Sequence, residues 1–112
     1  MQHDILKYLY DISTAINSVK EFTADCKNFN DFDQHKLVKR GVERELEIIG
    51  EAVNRILKID SKIQISNARK IVNLRNWVIH SYDNVDSILI WVIIQKDIPV
   101  LQLEVLNLLK MK

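Results

Sequence analysis

The chain has 112 residues, 47% of them hydrophobic and 28% charged, with a net charge of +1. That composition is too apolar for a disordered chain, and the length gives room for one hydrophobic core rather than two. Two glycines and one proline supply little material for tight turns, which excludes a hairpin-rich all-β fold.

The first predicted helix spans roughly Asp4 to Asp25. Ile5, Leu9, Ile12, Ile16 and Val19 recur at spacings of four and three, an apolar seam along one helix face. The stretch Lys27-Asn28-Phe29-Asn30-Asp31 breaks it. Just before that break stands Cys26, the lone cysteine, which excludes an internal disulfide, fits a reducing compartment and reads as a packing residue. A second helix is predicted from about Asp33 to Leu57, where Val42, Leu46, Ile49, Val53 and Ile56 repeat the seam. Ile48 and Ala52 add a second apolar line, so this helix is expected to touch two neighbours. Ile59 to Asn67 reads as a polar connector whose Ser66 or Asn67 can cap the next helix.

The third helix, about Asn67 to Ser81, turns Ile71, Leu74 and Val78 inward, and Asp83-Asn84 then forms a turn. The fourth runs from about Val85 to Leu109. Its Ile88–Ile94 block is rich in β-branched residues, yet no partner strand exists elsewhere, so helix is the consistent reading. Pro99 is expected to kink it near Asp97. Seven apolar residues fall far short of the roughly 20 a membrane-spanning helix needs. No signal peptide is visible, and a cytoplasmic location with no membrane partner is expected. A helix that is apolar all round needs cover on every side, from the bundle or from a second copy of the chain. The expected architecture is therefore a single all-α domain over residues 1–112, an up-down four-helix bundle that forms a homodimer.

The charge is unevenly distributed. Between Gln34 and His80 there are ten Lys/Arg and five acids, whereas the remainder carries six bases against ten acids. A basic middle is compatible with a polyanion such as RNA, or with a solvated helix face.

The chemistry concentrates in Leu74-Arg75-Asn76-Trp77-Val78-Ile79-His80-Ser81-Tyr82. Arg can hold a phosphate bidentately, and His can take and give a proton near neutral pH, a combination suited to phosphodiester cleavage. Asn76 offers hydrogen-bond donors and an acceptor to a ribose or phosphate. Five positions along a helix amount to about 140° off a common face, so Arg75 and His80 do not stack directly. They converge if His80 occupies the last turn, and a dimer axis beside this helix would gather two copies in one cleft. One residue at a time, each has a plain structural reading: an ion pair for Arg75, a helix-dipole partner for His80, a half-buried core residue for Tyr82. On the second helix, Glu47 and Glu51 share a face flanked by Arg44 and Arg55. Surface ion pairing suits Glu47, whereas Glu51, beside the small pair Gly50 and Ala52, is the candidate to orient Arg75 or His80. His3, His35 and Cys26 have no metal-ligand spacing, and no metal or cofactor is expected.

Together, Arg75-Asn76-x-x-x-His80-x-Tyr82 resembles the signature of the HEPN domain, specifically the HepT-type toxins encoded beside a minimal nucleotidyltransferase antitoxin. Val42-Glu-Arg-Glu-Leu-Glu-Ile-Ile-Gly50-Glu51-Ala52 resembles that family's second-helix block. Asp11-Ile12 with Ala15-Ile16 resembles its opening helix, and Trp91 through Asp97-Ile98-Pro99 its tail. The resemblance covers about Asp4 to Leu109. The chain departs from it at Ser81, where glycine is frequent, and in the Ile59–Ser66 connector, which lacks the usual prolines; neither departure removes a reactive group. The resemblance implies a metal-independent endoribonuclease of a type VII toxin–antitoxin pair, a homodimer with its active site at the interface. Arg75 and His80 would be catalytic, Asn76 and Glu51 supporting, and Tyr82 the acceptor of AMP from the antitoxin. A competing reading is a non-catalytic subunit that docks substrate or nucleotide for the nucleotidyltransferase. Growth arrest on expression that His80→Ala abolishes separates the two.

Overall fold

The computed structural model describes residues 2–73 and 87–111. Among them the chain is an all-α bundle with no strand. Helix α1, His3–Thr23, buries Ile5, Leu9, Ile12, Ala15, Ile16 and Val19, the seam read from the sequence. Asp4 in the first turn and Lys20 in the last complement the helix dipole. Near its end the Thr23 hydroxyl donates back to the Val19 carbonyl at 2.8 Å.

The segment expected to be a simple break is instead a short helix, α2, Phe29–Gln34. Its start is fixed by a local exchange. The Asn28 side chain accepts the Asp31 amide at 2.9 Å, while Asp31 accepts the Lys27 amide at 3.0 Å. What holds α2 in place is Phe32, which is fully buried with its ring centroid 5.3 Å from that of Trp91. The long second helix therefore begins later than expected. At His35 the backbone is extended (φ −102°, ψ 90°), and its Nδ1 accepts the Val38 amide at 3.3 Å. Helix α3 then runs Lys36–Ile59 and buries Val42, Leu46, Ile49, Gly50, Ala52, Val53 and Ile56. Lys39 bridges back to Asp33 at 3.2 Å and ties the two helices at the joint. A close approach occurs at Gly41, where an added Cβ would lie 2.9 Å from the Phe22 ring.

The connector after α3 turns at Asp60, whose carboxylate accepts the Lys62 amide at 3.0 Å. Asn67 has φ 57°, a left-handed conformation that asparagine tolerates better than most residues. Its carbonyl accepts the Ile71 amide at 3.0 Å and so opens α4, helical over 68–73. Ile71 faces the core as expected. The later part of the third helix, including Leu74 and Val78, lies outside the described residues, as does the Asp83-Asn84 turn.

Helix α5, Ser87–Lys110, settles the helix-or-strand question at Ile88–Ile94 and continues through Pro99. Pro99 has no amide hydrogen, so the Gln95 carbonyl one turn earlier loses its normal helical donor. Ile90, Ile93, Ile94, Ile98, Leu101, Val105 and Leu108 turn inward. In the bundle α1 packs on α3 and α5, and α2 sits across α3 and α5. Each of the large, fully buried side chains contributes about 1.5–3 kcal/mol of transfer free energy. Among the described residues no helix is long and apolar enough to cross a membrane.

Candidate functional site

Arg75, Asn76, His80 and Tyr82 lie outside the described residues. The structure shows instead how the chain leading into that segment is fixed. The Ser66 amide donates to Glu104 Oε2 at 2.9 Å, and the Lys70 ammonium bridges to Asp97 at 3.2 Å. Both acceptors belong to α5, so the connector before α4 and the first turn of α4 are each tied to it once. Ile65 and Ile71, which flank these two residues in sequence, are buried, as is Ser87 at the start of α5. The connector just before α4 is thus held by a carboxylate of α5. Glu104 places a carboxylate at the start of α4, where exposed amides and the helix dipole favour negative charge.

Glu51 is the one candidate site residue among the described ones. Its side chain is half-buried on α3: Oε1 accepts from Arg55 Nε at 3.0 Å, while Oε2 is buried. The ion pairing that the sequence suited to Glu47 is therefore made by Glu51. The Tyr8 hydroxyl and the Glu51 carboxylate beside Arg55 push its guanidinium further up from its ordinary pKa. On α1, the Lys7 ammonium lies 5.2 Å from the Tyr8 ring centroid and 3.8 Å from Asp11. These side chains meet in a cleft of about 620 Å³ along the α1/α3 seam, with Arg44 and Glu47 on its rim and Ile48 and Ala52 on its floor. Tyr8, Lys7 and Arg44 went unremarked as site residues in the sequence. The pairing of Glu51 with Arg55 is a local i,i+4 signal, but the approach of Tyr8 depends on how α1 and α3 register. No local spacing encodes that.

Among the described residues no cluster of three or more His, Cys, Asp or Glu could hold a metal ion. At the α1–α2 corner Cys26 is half-buried. Burial, reinforced by the neighbouring Asp31 and Asp25 carboxylates, pushes its thiol up from the ordinary value. A thiol so placed is a packing group with little thiolate at neutral pH.

Along α3, Gly50 and Ala52 are buried and Glu51 between them is half-exposed, within an all-α bundle of the kind the resemblance implies. The family profile described as "Ribonuclease HepT-like" matches residues 12–108, and the chain belongs to that family. A Methanocaldococcus jannaschii protein named "Putative RNase" is 40% identical over 106 residues, which cover 93% of this chain and 95% of that one. A second protein of that organism with the same style of name is 33% identical over 97% of this chain and 94% of its own length. The Thermococcus cleftensis protein named "Probable ribonuclease HepT" is 36% identical over 85% of this chain and 86% of its own. No solved structure matches the chain.

Proposed function

We propose that this chain is a metal-independent endoribonuclease, the toxin of a toxin–antitoxin pair, with Arg75 and His80 as its catalytic groups. The observation that supports this most is that the ribonuclease family match over residues 12–108 contains the complete Arg75-Asn76-x-x-x-His80-x-Tyr82 arrangement. In this reading His80 removes the proton from a ribose 2′-hydroxyl, and the 2′-oxygen attacks the adjacent phosphorus in line. Arg75 stabilises charge on the nonbridging oxygens, the electrostatic contribution that is often largest. The bond from phosphorus to the 5′-oxygen breaks, and that oxygen takes a proton from the partner's His80. The products are a 2′,3′-cyclic phosphate and a 5′-hydroxyl. Asn76 would bind the ribose or phosphate. Glu51 would orient Arg75 or His80 from α3.

The mechanism needs a homodimer, and α5 offers a surface for one. Ile88, Val92, Leu103 and Leu106 fall within about 60° of one another around the helix, opposite its buried side. Ile88 is 61% and Leu103 65% exposed. A continuous apolar line on the outside of a small domain is the kind of surface a second copy covers. Control would come from a cognate nucleotidyltransferase antitoxin that joins AMP from ATP to the Tyr82 hydroxyl, with release of pyrophosphate. The adenylate adds negative charge and a bulky base two residues from His80, where it would occupy Arg75 in place of RNA.

The direct test is digestion of RNA by the purified chain in EDTA. Cleavage with 2′,3′-cyclic phosphate ends is the expected result. Loss of cleavage in EDTA that a divalent cation restores would overturn the metal-independent mechanism.

A further inference from the structure

Helix α4 is described only over 68–73, a stretch too short to hold its shape in water without neighbours, so its placement comes from what it packs against. Ile71 is buried, and Ala68 and Val72, both half-buried, pack on the same core. Spaced at i, i+3 and i+4, the three form one apolar stripe. Apolar burial has no direction. It holds the helix down on the core, yet it resists a small roll or slide along the stripe only weakly.

The directional contact comes from Lys70. Its position is about 100° round the helix from Ile71, off the stripe. The ammonium donates to Asp97 Oδ1 at 3.3 Å and lies 3.2 Å from Oδ2, so one cation engages both oxygens of the carboxylate. The Asp97 side chain is only 13% exposed. A carboxylate so well covered has little water to replace a lost partner, unlike the surface pair Lys7–Asp11. Asp97 itself stands on a firm base, between the buried Ile94, Ile98 and Leu101 of α5. Among the described residues this is the one ion pair that α4 makes.

Arg75 follows Asn73, the end of this described stretch, by two residues. Covalent geometry alone keeps its Cα within about 7 Å of that of Asn73. Any roll of α4 about its apolar stripe is therefore passed on to the point from which the Arg75 side chain starts. We infer that Lys70 and Asp97 are a positioning pair for Arg75: the ion pair sets the roll of α4 against α5, and with it the placement of the guanidinium. The inference rests on the reading of Arg75 as a catalytic group. Neither member of the pair touches RNA; both act through Arg75. The leverage is large, because a misplacement of about 1 Å at a reacting centre can cost on the order of 10²-fold in rate.

Steady-state cleavage of RNA by the full-length chain tests this. Lys70→Met and Asp97→Asn should each lower kcat about ten-fold with KM within about two-fold, because Arg75 acts on charge that grows toward the transition state. The double variant should be no slower than the poorer single variant, since the pair works as a unit. Lys70→Arg keeps a cationic donor for the same carboxylate and should retain kcat within about three-fold. Lys39→Ala breaks the other bridge between helices, Lys39–Asp33 at the α2–α3 joint, and should keep kcat within about two-fold at equal helicity. If Lys70→Met does not fold, Asp97→Asn, which keeps the side-chain shape, carries the comparison. Wild type that cuts no RNA would bring down the nuclease reading and the positioning role together. Wild type that cuts, with both single variants at its kcat, would overturn the positioning role alone. An equal loss in Lys39→Ala would make the effect one of stability, and losses that multiply in the double variant would make the two residues independent; either would overturn the pair.

Discussion

The amide of Ser66 and the carboxylate of Glu104, 38 residues apart in sequence, meet at 2.9 Å, and this contact fixes where α4 begins on α5. Only one oxygen of Glu104 is used; the other is buried with no hydrogen bond among the described residues. Alanine at 104 would remove the acceptor of the Ser66 amide, two residues before α4. Loss of one such hydrogen bond costs about 1 kcal/mol, within a range of about 0.5–1.5. We therefore expect Glu104→Ala to lower Tm by about 3–6 °C, as read by thermal melting followed by circular dichroism. A melting temperature unchanged within a degree would show that the contact contributes nothing.

A charge in the outward apolar line of α5 should separate the protomers without unfolding either one. Leu103 is 65% exposed, so Leu103→Glu removes no core volume within the chain. Light scattering should give a dimer for wild type at micromolar concentration and a monomer for the variant, with equal helicity. If the line is the interface, the composite active site is lost with it, and RNA cleavage should fall together with the dimer. A dimer that survives Leu103→Glu would move the interface elsewhere.

How much of this was legible depends on whether the information is local. The seams of α1 and α3 are periodic patterns within one helix, and the residues they pick out are the buried ones. The α5 block reads as helix because a strand needs a partner, and the sequence offers no second strand-like stretch to pair with it. Helix α2 was missed because its stability is divided between a four-residue cap at Asn28 and a distant ring, Trp91, that buries Phe32. Neither feature is a periodicity. At the candidate site the pairing of Glu51 with Arg55 follows from helical spacing. The entry of Tyr8 and Lys7 from α1 follows only from the packing of two helices. The Glu104 and Asp97 anchors are likewise contacts between distant parts of the chain, invisible to any local window.

Cys26 gives a pH-dependent readout of the α1–α2 corner. Its raised pKa means less thiolate at any given pH than a free cysteine has, so alkylation by iodoacetamide should be slower near pH 8. The rate should keep rising with pH beyond the ordinary thiol range, and unfolding in urea should abolish the difference. Asp25→Asn removes one of the carboxylates that disfavour the thiolate and should shift the rate profile to lower pH. A profile centred on the unperturbed thiol value would contradict the placement of Cys26.

Arg75→Ala and His80→Ala should each abolish RNA cleavage and toxicity while the bundle still folds. Loss of a general acid–base typically removes about 10²–10⁴ in rate. Under the proposed mechanism His80 serves in both protomers, so a dimer with one His80→Ala copy should lose activity as well. Cleavage near the wild-type rate in both single variants would place the active site on other residues.

Tyr82 should act as the switch on this chemistry and not as part of it. A phenol with an unperturbed pKa near 10 is a poor base at neutral pH, but its oxygen is a suitable nucleophile toward the α-phosphorus of ATP when an enzyme activates it. Tyr82→Phe removes only that oxygen. The variant should keep much of the cleavage activity and escape silencing by the nucleotidyltransferase. After incubation with that partner and ATP, mass spectrometry should show added AMP on wild type alone, and RNA digestion should stop for wild type alone. If Tyr82→Phe still gains AMP and is still silenced, control runs through another residue. If it gains none yet is silenced, the antitoxin acts by covering the cleft. Either result would remove Tyr82 from the mechanism, because the proposed block depends on a charged adenylate held beside His80 and drawn onto Arg75.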